Sequence, residues 1–496
     1  MTPSHYQQAI FDFVKSSQEN GLVEAVAGSG KTTTIVEASK QLPAFSSGAK
    51  GTSLLDSFAE SKNSLFVAFN KHIAEALASR LPASCSAQTL HSLGFYICRS
   101  QLGTKKLDQY KASKILTELG LPDPWKLTDK KEKARAFSLR SSAEAMISIA
   151  KSTLAKAEEL KDVCDFYNIE VADPVLLETV PKALEKAQLS TETCDFDDMF
   201  WLPLVNNCVF PSFSTVFVDE AQDLSLAQFE FIKKLESRTL AVGDRNQSLY
   251  GFRGANPAAM DAFKDGCSAR EFPLSISYRC PRAVVALAQT LVPQIEAWEK
   301  AEEGLVESIS KEQFTNLVKL NDMVICRFNS PLVAFALALI KKRVKVTICG
   351  RDIGKNIAKF AEKFFRGNGQ SFKDALLELK QHYETEVNKP GTKEKKQNLF
   401  DKVQICQLFA SEIQAKLGRT DEVPKEIEAL FSDDSSAVTL SSIHRAKGLE
   451  ADRVFLLQTE DPFADQRQEW EEVQEKNCKY VAYTRAKREL YLVSED

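Results

Sequence analysis

The sequence predicts an α/β protein with two mainly parallel sheets, each interrupted by a helical insertion. Short apolar runs typical of buried strands alternate with amphipathic helical segments in both halves of the chain. Two stretches, about 95–190 and 352–434, are instead rich in Lys, Glu, Ala and Leu at helical spacing. The length of 496 residues and the 44% hydrophobic content supply enough apolar material for several cores, which excludes a disordered or fibrous chain.

The strands are predicted from short apolar runs that end at polar residues or at glycine. They fall at 22–26, 65–69, 215–218, 239–242, 323–326, 438–440, 453–457 and 490–493. Helices predicted over 7–15 and 31–39 flank the first of these strands. This helix–strand alternation implies a parallel sheet with helices on both faces.

The same elements predict a division into two sheet domains, each with one insertion. The first sheet domain would comprise 1–94 and 191–273 with the insertion 95–190, and the second 274–351 and 435–496 with the insertion 352–434.

Charge and composition exclude several classes of protein. The 64 Lys and Arg residues against 68 Asp and Glu give a net charge of −4, so a nucleic acid would have to bind in a local groove. The apolar run Leu332–Ile340 is too short to span a bilayer, and residues 1–5 lack the features of a secretory signal. The 11 cysteines include no Cys-x-x-Cys pair. We therefore expect reduced thiols, no membrane association and a cytoplasmic location.

A glycine-rich turn follows the first predicted strand and opens a helix. Residues 25–32 read AVAGSGKT, which has the context of a phosphate-binding P-loop although Ala25 stands where the strict pattern has glycine. Backbone N–H groups of such a loop wrap phosphates, the lysine neutralises β- and γ-oxygens, and the hydroxyl that follows is a ligand for Mg²⁺. The expected nucleotide contacts are Ala27, Gly28, Ser29, Gly30, Lys31, Thr32 and Thr33. The alternative is a glycine turn that arose by chance.

A second apolar run, at 216–218, ends in the acidic pair Asp219-Glu220. A P-loop enzyme needs one carboxylate at a strand end to hold Mg²⁺, and a second to orient and deprotonate water. Asp219 suits the first role, together with Thr32, and Glu220 suits the second. A merely charged strand end is the alternative.

Further strings resemble the motifs of the UvrD/Rep/PcrA helicases of superfamily 1. They occur in the family's order at 67–71, 88–92, 194–199, 242–255, 274–281, 438–450 and 480–486. The resemblance covers nearly the whole chain, and it implies two RecA-like P-loop NTPase domains with ATP in the cleft between them.

The resemblance implies further contacts to ATP. Gln7 or Gln8 would read the adenine, against which Tyr278 would also lie, and Glu450 would contact the ribose.

The γ-phosphate would be contacted by three side chains: Gln247, and Arg279 and Arg485 from the second domain. Guanidinium groups suit the charge on a transferring phosphoryl group. For the two arginines, a structural ion pair is the alternative.

A translocase needs stacking platforms and phosphate contacts rather than base-edge readers, since it must be indifferent to sequence. The resemblance assigns this role to Phe69, Asn70, Thr89, His91, Tyr250, Phe252, Arg253 and His444. Core packing is the alternative for the aromatic residues. The chain departs from the family at Phe252, where tryptophan is common, and at Thr33, where arginine is common.

The resemblance implies an ATP-dependent DNA helicase or translocase that moves 3′→5′ along single-stranded DNA and opens junctions. Two alternatives stay open. One is a DNA-stimulated ATPase switch that gates a partner nuclease or a replication or repair factor, which the short second insertion favours. The other is an inactive relative that only binds DNA.

Overall fold

The structure is a computed structural model of the chain, and it describes residues 2–42, 64–68, 71–249, 259–342, 344–367, 369–388, 393–430, 437–459 and 469–494. The chain divides into two compact units, Met1–Ser275 and Ile276–Asp496.

The first unit is built on a six-stranded parallel sheet. The strands of this unit are β1 (Gly21–Ala25), β2 (Ser64–Ala68), β3 (Cys85–Thr89), β4 (Lys106–Leu107), β5 (Thr193–Cys194), β6 (Thr215–Val218), β7 (Arg238–Gly243) and β8 (Arg270–Leu274). The sheet has the order β3-β2-β6-β7-β1-β8, and all neighbours are parallel. This order sets the carboxyl ends of β1, β6 and β7 side by side, where α/β sheets bind their ligands. The short strands β4 and β5 form a separate parallel pair.

Helices cover this sheet and form the insertion between β3 and β6. They are α1 (His5–Ser16), α2 (Lys31–Ser39), α3 (Lys71–Ala78), α4 (Leu90–Leu102), α5 (Lys111–Glu118), α6 (Lys130–Thr153), α7 (Leu160–Phe166), α8 (Leu176–Leu189), α9 (Asp198–Val205), α10 (Leu226–Lys233) and α11 (Ala259–Gly266). Local signals account for several starts: Ser4 and Gln7 form a capping box on α1, and the Asp129 side chain caps α6.

Buried charges join the helical insertion to α9. Lys111 Nζ lies 2.7 Å from Asp198 Oδ2, and Lys151 Nζ lies 2.8 Å from Asp198 Oδ1. Lys151 Nζ also lies 2.7 Å from Asp195 Oδ2. Because these groups are buried, loss of one partner would leave an uncompensated charge, and the network therefore fixes α5 and α6 against α9.

The second unit contains another six-stranded parallel sheet. Its strands are β9 (Ile276–Ser277), β10 (Glu296–Ala297), β11 (Leu305–Ser310), β12 (Met323–Cys326), β13 (Val346–Ile348), β14 (Val438–Ser442), β15 (Ala451–Leu457) and β16 (Ala486–Ser494). The sheet has the order β11-β16-β15-β12-β14-β13 with parallel neighbours, and β9 and β10 form a separate pair.

Its helices pack on this sheet and extend into the second insertion. They are α12 (Arg282–Gln289), α13 (Lys311–Leu317), α14 (Asn329–Lys341), α15 (Arg351–Ala361), α16 (Phe372–Val387), α17 (Lys393–Ala415), α18 (Val423–Leu430), α19 (Ile443–Ala446) and α20 (Glu469–Tyr483). Asp401 of α17 accepts the Asn329 and Ser330 N–H groups at 2.9 and 3.2 Å, which caps α14 from the insertion. Among the described residues, no helix combines the length and apolar character that a bilayer crossing requires.

The structure confirms the predicted fold class, two parallel α/β sheets each interrupted by helices. All eight predicted strands are present as β1, β2, β6, β7, β12, β14, β15 and β16. Eight strands were not predicted. Four of them, β3, β8, β11 and β13, are the edge strands of the two six-stranded sheets, and the other four, β4, β5, β9 and β10, form the two short separate pairs. The proposed domain boundaries stay a prediction.

Candidate nucleotide site and nucleic-acid surface

The loop between β1 and α2 has the backbone of an anion-binding turn. Gly28 and Gly30 adopt φ values of 74° and 78°, in the left-handed region that favours glycine, and Gly30 is the N-cap of α2. The Val26 N–H donates to the Leu274 carbonyl of β8 at 3.1 Å, which ties the start of the loop to the sheet. The N-terminus of α2 therefore follows a fixed glycine turn, as a phosphate site requires.

Thr32 and Asp219 meet at the carboxyl ends of β1 and β6. The Thr32 hydroxyl donates to Asp219 Oδ2 at 2.5 Å. Burial, together with the negative charge of Glu220, raises the pKa of Asp219 to about 6. A hydroxyl and a carboxylate are hard oxygen donors of the kind that Mg²⁺ prefers, so this pair fits the expected metal.

Glu220 has an unusual backbone and a fixed side chain. Its φ of 54° is uncommon for a residue other than glycine, and such conformations concentrate at functional sites. The Gln222 amide donates from Nε2 to Glu220 Oε2 at 2.5 Å. The carboxylate proposed to activate water is therefore held by a neighbouring side chain.

Gln222 links the end of β6 to the end of β7. Its Oε1 accepts the Asp244 N–H at 2.9 Å, and Asp244 Oδ2 accepts a hydrogen bond from Gln247 Nε2 at 2.6 Å. Burial raises the pKa of Asp244. The sequence assigned roles to Glu220 and Gln247 but missed Gln222 and Asp244, which connect them.

Gly243 leaves room for this link. A Cβ at Gly243 would lie 2.6 Å from Met260 Sδ and 2.7 Å from Gln222 Oε1. The glycine that precedes Asp244 within 242–255 was therefore a signal for a close side-chain approach.

The structure distinguishes the two glutamines proposed to read adenine. Gln7 Nε2 donates to the Thr34 hydroxyl of α2 at 3.1 Å, whereas Gln8 is exposed and donates to Asp12 Oδ1 at 2.8 Å. Gln7 is thus the one that contacts the helix after the P-loop. The Thr33 hydroxyl accepts a hydrogen bond from Arg80 at 3.5 Å.

A cavity of about 340 Å³ joins the acidic residues to part of the proposed nucleic-acid surface. Asp219, Glu220 and His91 line it, together with Phe200. The His91 ring packs edge-on against Phe200 with centroids 4.7 Å apart. Burial lowers the pKa of His91, which favours the neutral ring at physiological pH.

Thr89 caps the helix that carries His91. Its hydroxyl accepts the Ser92 N–H at 3.2 Å at the start of α4. The other DNA-binding candidates of this unit, Phe69, Asn70, Tyr250, Phe252 and Arg253, lie outside the described residues.

Both candidate arginines of the second unit have partners within that unit. Arg279 Nε lies 2.6 Å from Glu450 Oε2. Arg485 is 1% exposed, and its guanidinium donates to the carbonyls of Val481 and Leu449 at 2.9 and 3.2 Å. Transfer of either guanidinium to a phosphate would therefore require these contacts to be exchanged.

Tyr278 and His444, also in the second unit, are accessible to different degrees. Tyr278 is 37% exposed, and its ring centroid lies 5.9 Å from that of Trp298. His444 lies half-buried on α19.

Comparison with known families matches both parts of the chain. Residues 6–268 match the UvrD/REP helicase N-terminal domain, and residues 309–496 match the UvrD-like helicase C-terminal domain.

Individual relatives are similar at low identity. F-box DNA helicase protein 1 of Schizosaccharomyces pombe is 24% identical over 95% of this chain and 55% of its own length. The ATP-dependent DNA helicase PcrA of Bacillus subtilis is 24% identical over 70% of this chain and 64% of its own length. A probable DNA helicase II homolog of Mycoplasma genitalium is 31% identical over 23% of this chain and 18% of its own length. The chain thus spans less than two thirds of each of these relatives.

Proposed function

Because the chain belongs to the UvrD/Rep helicase family, we propose that it is an ATP-dependent DNA helicase or translocase. The observation that carries this proposal is the connected set of side chains in the first unit. Thr32 donates to Asp219, and Gln222 bridges Glu220 to the Asp244 N–H of the segment that carries Gln247. An inactive DNA-binding relative has no need of this arrangement.

The first unit would bind and hydrolyse ATP. Lys31 and the N–H groups of the glycine turn neutralise and bind the phosphates. Thr32 and Asp219 would hold Mg²⁺, which when bound offsets phosphate charge. Glu220 orients water and accepts its proton, with Gln222 fixing the direction of the carboxylate.

The second unit would supply cations for the transferring phosphoryl group. In this proposal Arg279 leaves Glu450 and, with Arg485, contacts the γ-phosphate. Charge spread over the phosphoryl oxygens in the transition state is stabilised by such guanidinium groups. Hydrolysis would then depend on both units, which is the requirement for coupling ATP turnover to movement.

The proposed substrate is single-stranded DNA and its junctions with duplex, followed in the 3′→5′ direction. The neutral His91 ring and the aromatic candidates outside the described residues suit base contacts that ignore sequence. The 11 cysteines are free thiols, most of them buried, as expected in a reducing compartment, and a cytoplasmic location is therefore part of the proposal.

Unwinding of tailed duplexes tests the proposal. Strand separation with ATP should occur on a duplex with a 3′ single-stranded tail and be much slower on one with a 5′ tail. Glu220→Gln should abolish separation on both substrates. Equal rates on the two tails would contradict the polarity, and no ATP-dependent separation on either would contradict autonomous unwinding.

The second candidate function is a DNA-stimulated ATPase switch that gates a partner nuclease or a replication or repair factor. It is favoured by the length of the second insertion, about 352–434, which is short for this family. ATP hydrolysis stimulated by DNA without strand separation, and separation restored by an added partner, would support the switch over the helicase.

A further inference from the structure

We propose that the helical insertion of the first unit carries an additional site for an unpaired nucleobase, centred on Trp125. The site, called here the Trp125 surface, consists of Trp125, Phe137, Lys126 and Lys133. It rests on the proposed function in one respect, namely that the nucleic acid bound is the strand on which the enzyme acts.

Most of the Trp125 side chain is exposed to solvent. It is 76% exposed, and the neighbouring Phe137 is 41% exposed. The two rings meet edge-on with centroids 5.3 Å apart and planes at 88°. The pair thus forms an apolar surface that includes the face of an indole, the type of platform on which bases stack.

Hydrogen bonds to Asp123 and from the buried Arg140 hold the turn that carries Trp125. The backbone N–H of Trp125 donates to Asp123 Oδ1 at 3.0 Å in a short 3₁₀ turn, Pro124–Lys126, whose first residue is buried. Arg140 of α6, itself 7% exposed, donates to the carbonyls of Leu121 and Pro122 at 3.2 and 3.3 Å. An exposed aromatic on a preorganised turn loses little conformational entropy when it binds.

Arg140 also ties the turn to α5. Its second guanidinium nitrogen donates to the Thr117 hydroxyl at 2.7 Å and to the Ser113 hydroxyl at 3.1 Å. A guanidinium with all these partners buried under the turn makes Trp125 part of a rigid element rather than a flexible loop.

The charge around the indole suits a polyanion. Lys133 Nζ lies 5.3 Å from the centre of the Trp125 ring. The adjacent Lys126 is 77% exposed, and its Nζ lies 3.9 Å from Asp123 Oδ2, a loose surface pair for which a phosphate can compete. Residues 123–135 contain five basic and three acidic residues, although the chain as a whole has a net charge of −4. A base on the indole would bring its flanking phosphates toward these ammonium groups.

The combination favours a single-stranded nucleic acid over a protein partner. Bases in a duplex are stacked on one another and offer no free face, so an unpaired base is the ligand that this surface fits. A purely apolar protein contact would gain nothing from the surrounding cations.

A matched control is available in the same insertion. Phe166 is also an exposed aromatic, at 46%, and it too meets a second ring, that of Tyr167, edge-on at 4.9 Å. Its surroundings have the opposite charge, because residues 157–166 contain four acidic residues and one basic residue. Phe166→Ala therefore removes an exposed aromatic ring that is not surrounded by basic residues.

The experiment measures the affinity of the full chain for a fluorescent mixed-sequence single-stranded oligonucleotide and for a blunt duplex. Trp125→Ala should raise the Kd for the single strand by about 5- to 150-fold, the equivalent of one base–aromatic stack. Trp125→Phe should recover most of the affinity. Phe166→Ala should change the Kd for the single strand less than twofold. The Kd for the duplex should change less than twofold in every variant.

The charged part of the surface has its own readout. Lys133→Ala should reduce the salt dependence of log Kd for the single strand by about one unit of slope, as expected for one lost phosphate contact. An unchanged slope would show that Lys133 supports the ring and contacts no phosphate.

Parallel ATPase assays separate failure of this proposal from failure of the proposed function. Trp125→Ala should keep the wild-type kcat at saturating DNA, with only the DNA concentration for half-stimulation raised. Unchanged DNA affinity in a DNA-stimulated enzyme would overturn the Trp125 surface alone, and the patch would then be assigned to a protein partner. A wild-type ATPase indifferent to DNA would overturn the proposed function, whereas the Kd measurements would still test the surface.

Discussion

Gln222 provides a sharp test of the proposed hydrolytic site. In Gln222→Ala, Glu220 loses a hydrogen bond of 2.5 Å and the buried Asp244 N–H loses its acceptor at 2.9 Å. A hydrogen bond to a charged group contributes about 1.5–3 kcal/mol. If that bond serves to orient the carboxylate in the transition state, kcat should fall by about 10- to 150-fold.

The assay is steady-state ATP hydrolysis at saturating ATP and DNA, with nucleotide affinity measured separately. Gln222 contacts Glu220, the proposed general base, and has no proposed contact with the phosphates of ATP. The kcat should therefore fall while the Kd for ATP changes little. Thermal unfolding monitors the expected loss of stability, about 1–3 kcal/mol, from the unsatisfied Asp244 N–H.

Gln313→Ala is the control, since Gln313 is a capping glutamine that accepts the Ser310 N–H at 2.8 Å in the second unit. It should lower stability slightly and leave kcat unchanged. A Gln222→Ala protein that is destabilised yet retains kcat within twofold would contradict a positioning role for Gln222, because the amide would then serve the fold alone.

Three further predictions concern the same unit. Lys31→Ala should abolish ATP hydrolysis while retaining weak DNA binding in a gel-shift assay; simultaneous loss of both would contradict separate sites. Asp219 must be ionised to bind Mg²⁺, so its pKa of about 6 predicts that Mg²⁺ affinity, titrated by equilibrium binding with ADP, falls about tenfold from pH 8 to pH 5. Glu220→Gln removes a negative charge that raises the pKa of Asp219, so the loss of Mg²⁺ affinity should begin at lower pH. An unshifted pH profile of Mg²⁺ affinity would contradict an effect of the Glu220 charge on Asp219. Gly243→Ala should displace Gln222 and lower the free energy of unfolding by about 1–3 kcal/mol together with kcat; a denaturant titration that matches wild type would show that the Cβ is accommodated.

The sequence predicted the strands that have a neighbouring strand on both sides. β2, β6 and β12 are buried along their whole length and read as continuous apolar runs. The edge strand β11 has the burial pattern of a mostly exposed ribbon, and β8 contains Arg270 and Glu271. Edge strands carry charge and polarity, which weakens the apolar signal on which sequence prediction depends.

The candidate site was predictable where one short segment contains the chemistry. The glycine turn, Lys31 and Thr32 are contiguous, and the role proposed for them follows from backbone geometry and charge. The link between Glu220 and Gln247 was not predictable, because it passes through Gln222 and Asp244, which meet only since β6 and β7 are neighbours in the sheet. Side-chain contacts between strands depend on sheet order, which a single sequence does not specify.

The pairing of Arg279 with Glu450 was also not predictable from the sequence. These residues are far apart in the chain, and the sequence assigned both to ATP. If Arg279 contacts ATP as proposed, a phosphate must compete with Glu450 for its guanidinium group.

We propose above all that Glu220 activates water for ATP hydrolysis that DNA controls. The most direct test is the rate of ATP hydrolysis, with and without single-stranded DNA, for the wild-type chain and for Glu220→Gln. DNA should strongly stimulate hydrolysis by the wild type, and the rate should fall by about 10²- to 10⁴-fold in the variant, which should still bind ATP. Undiminished turnover by Glu220→Gln would show that Glu220 does not activate water.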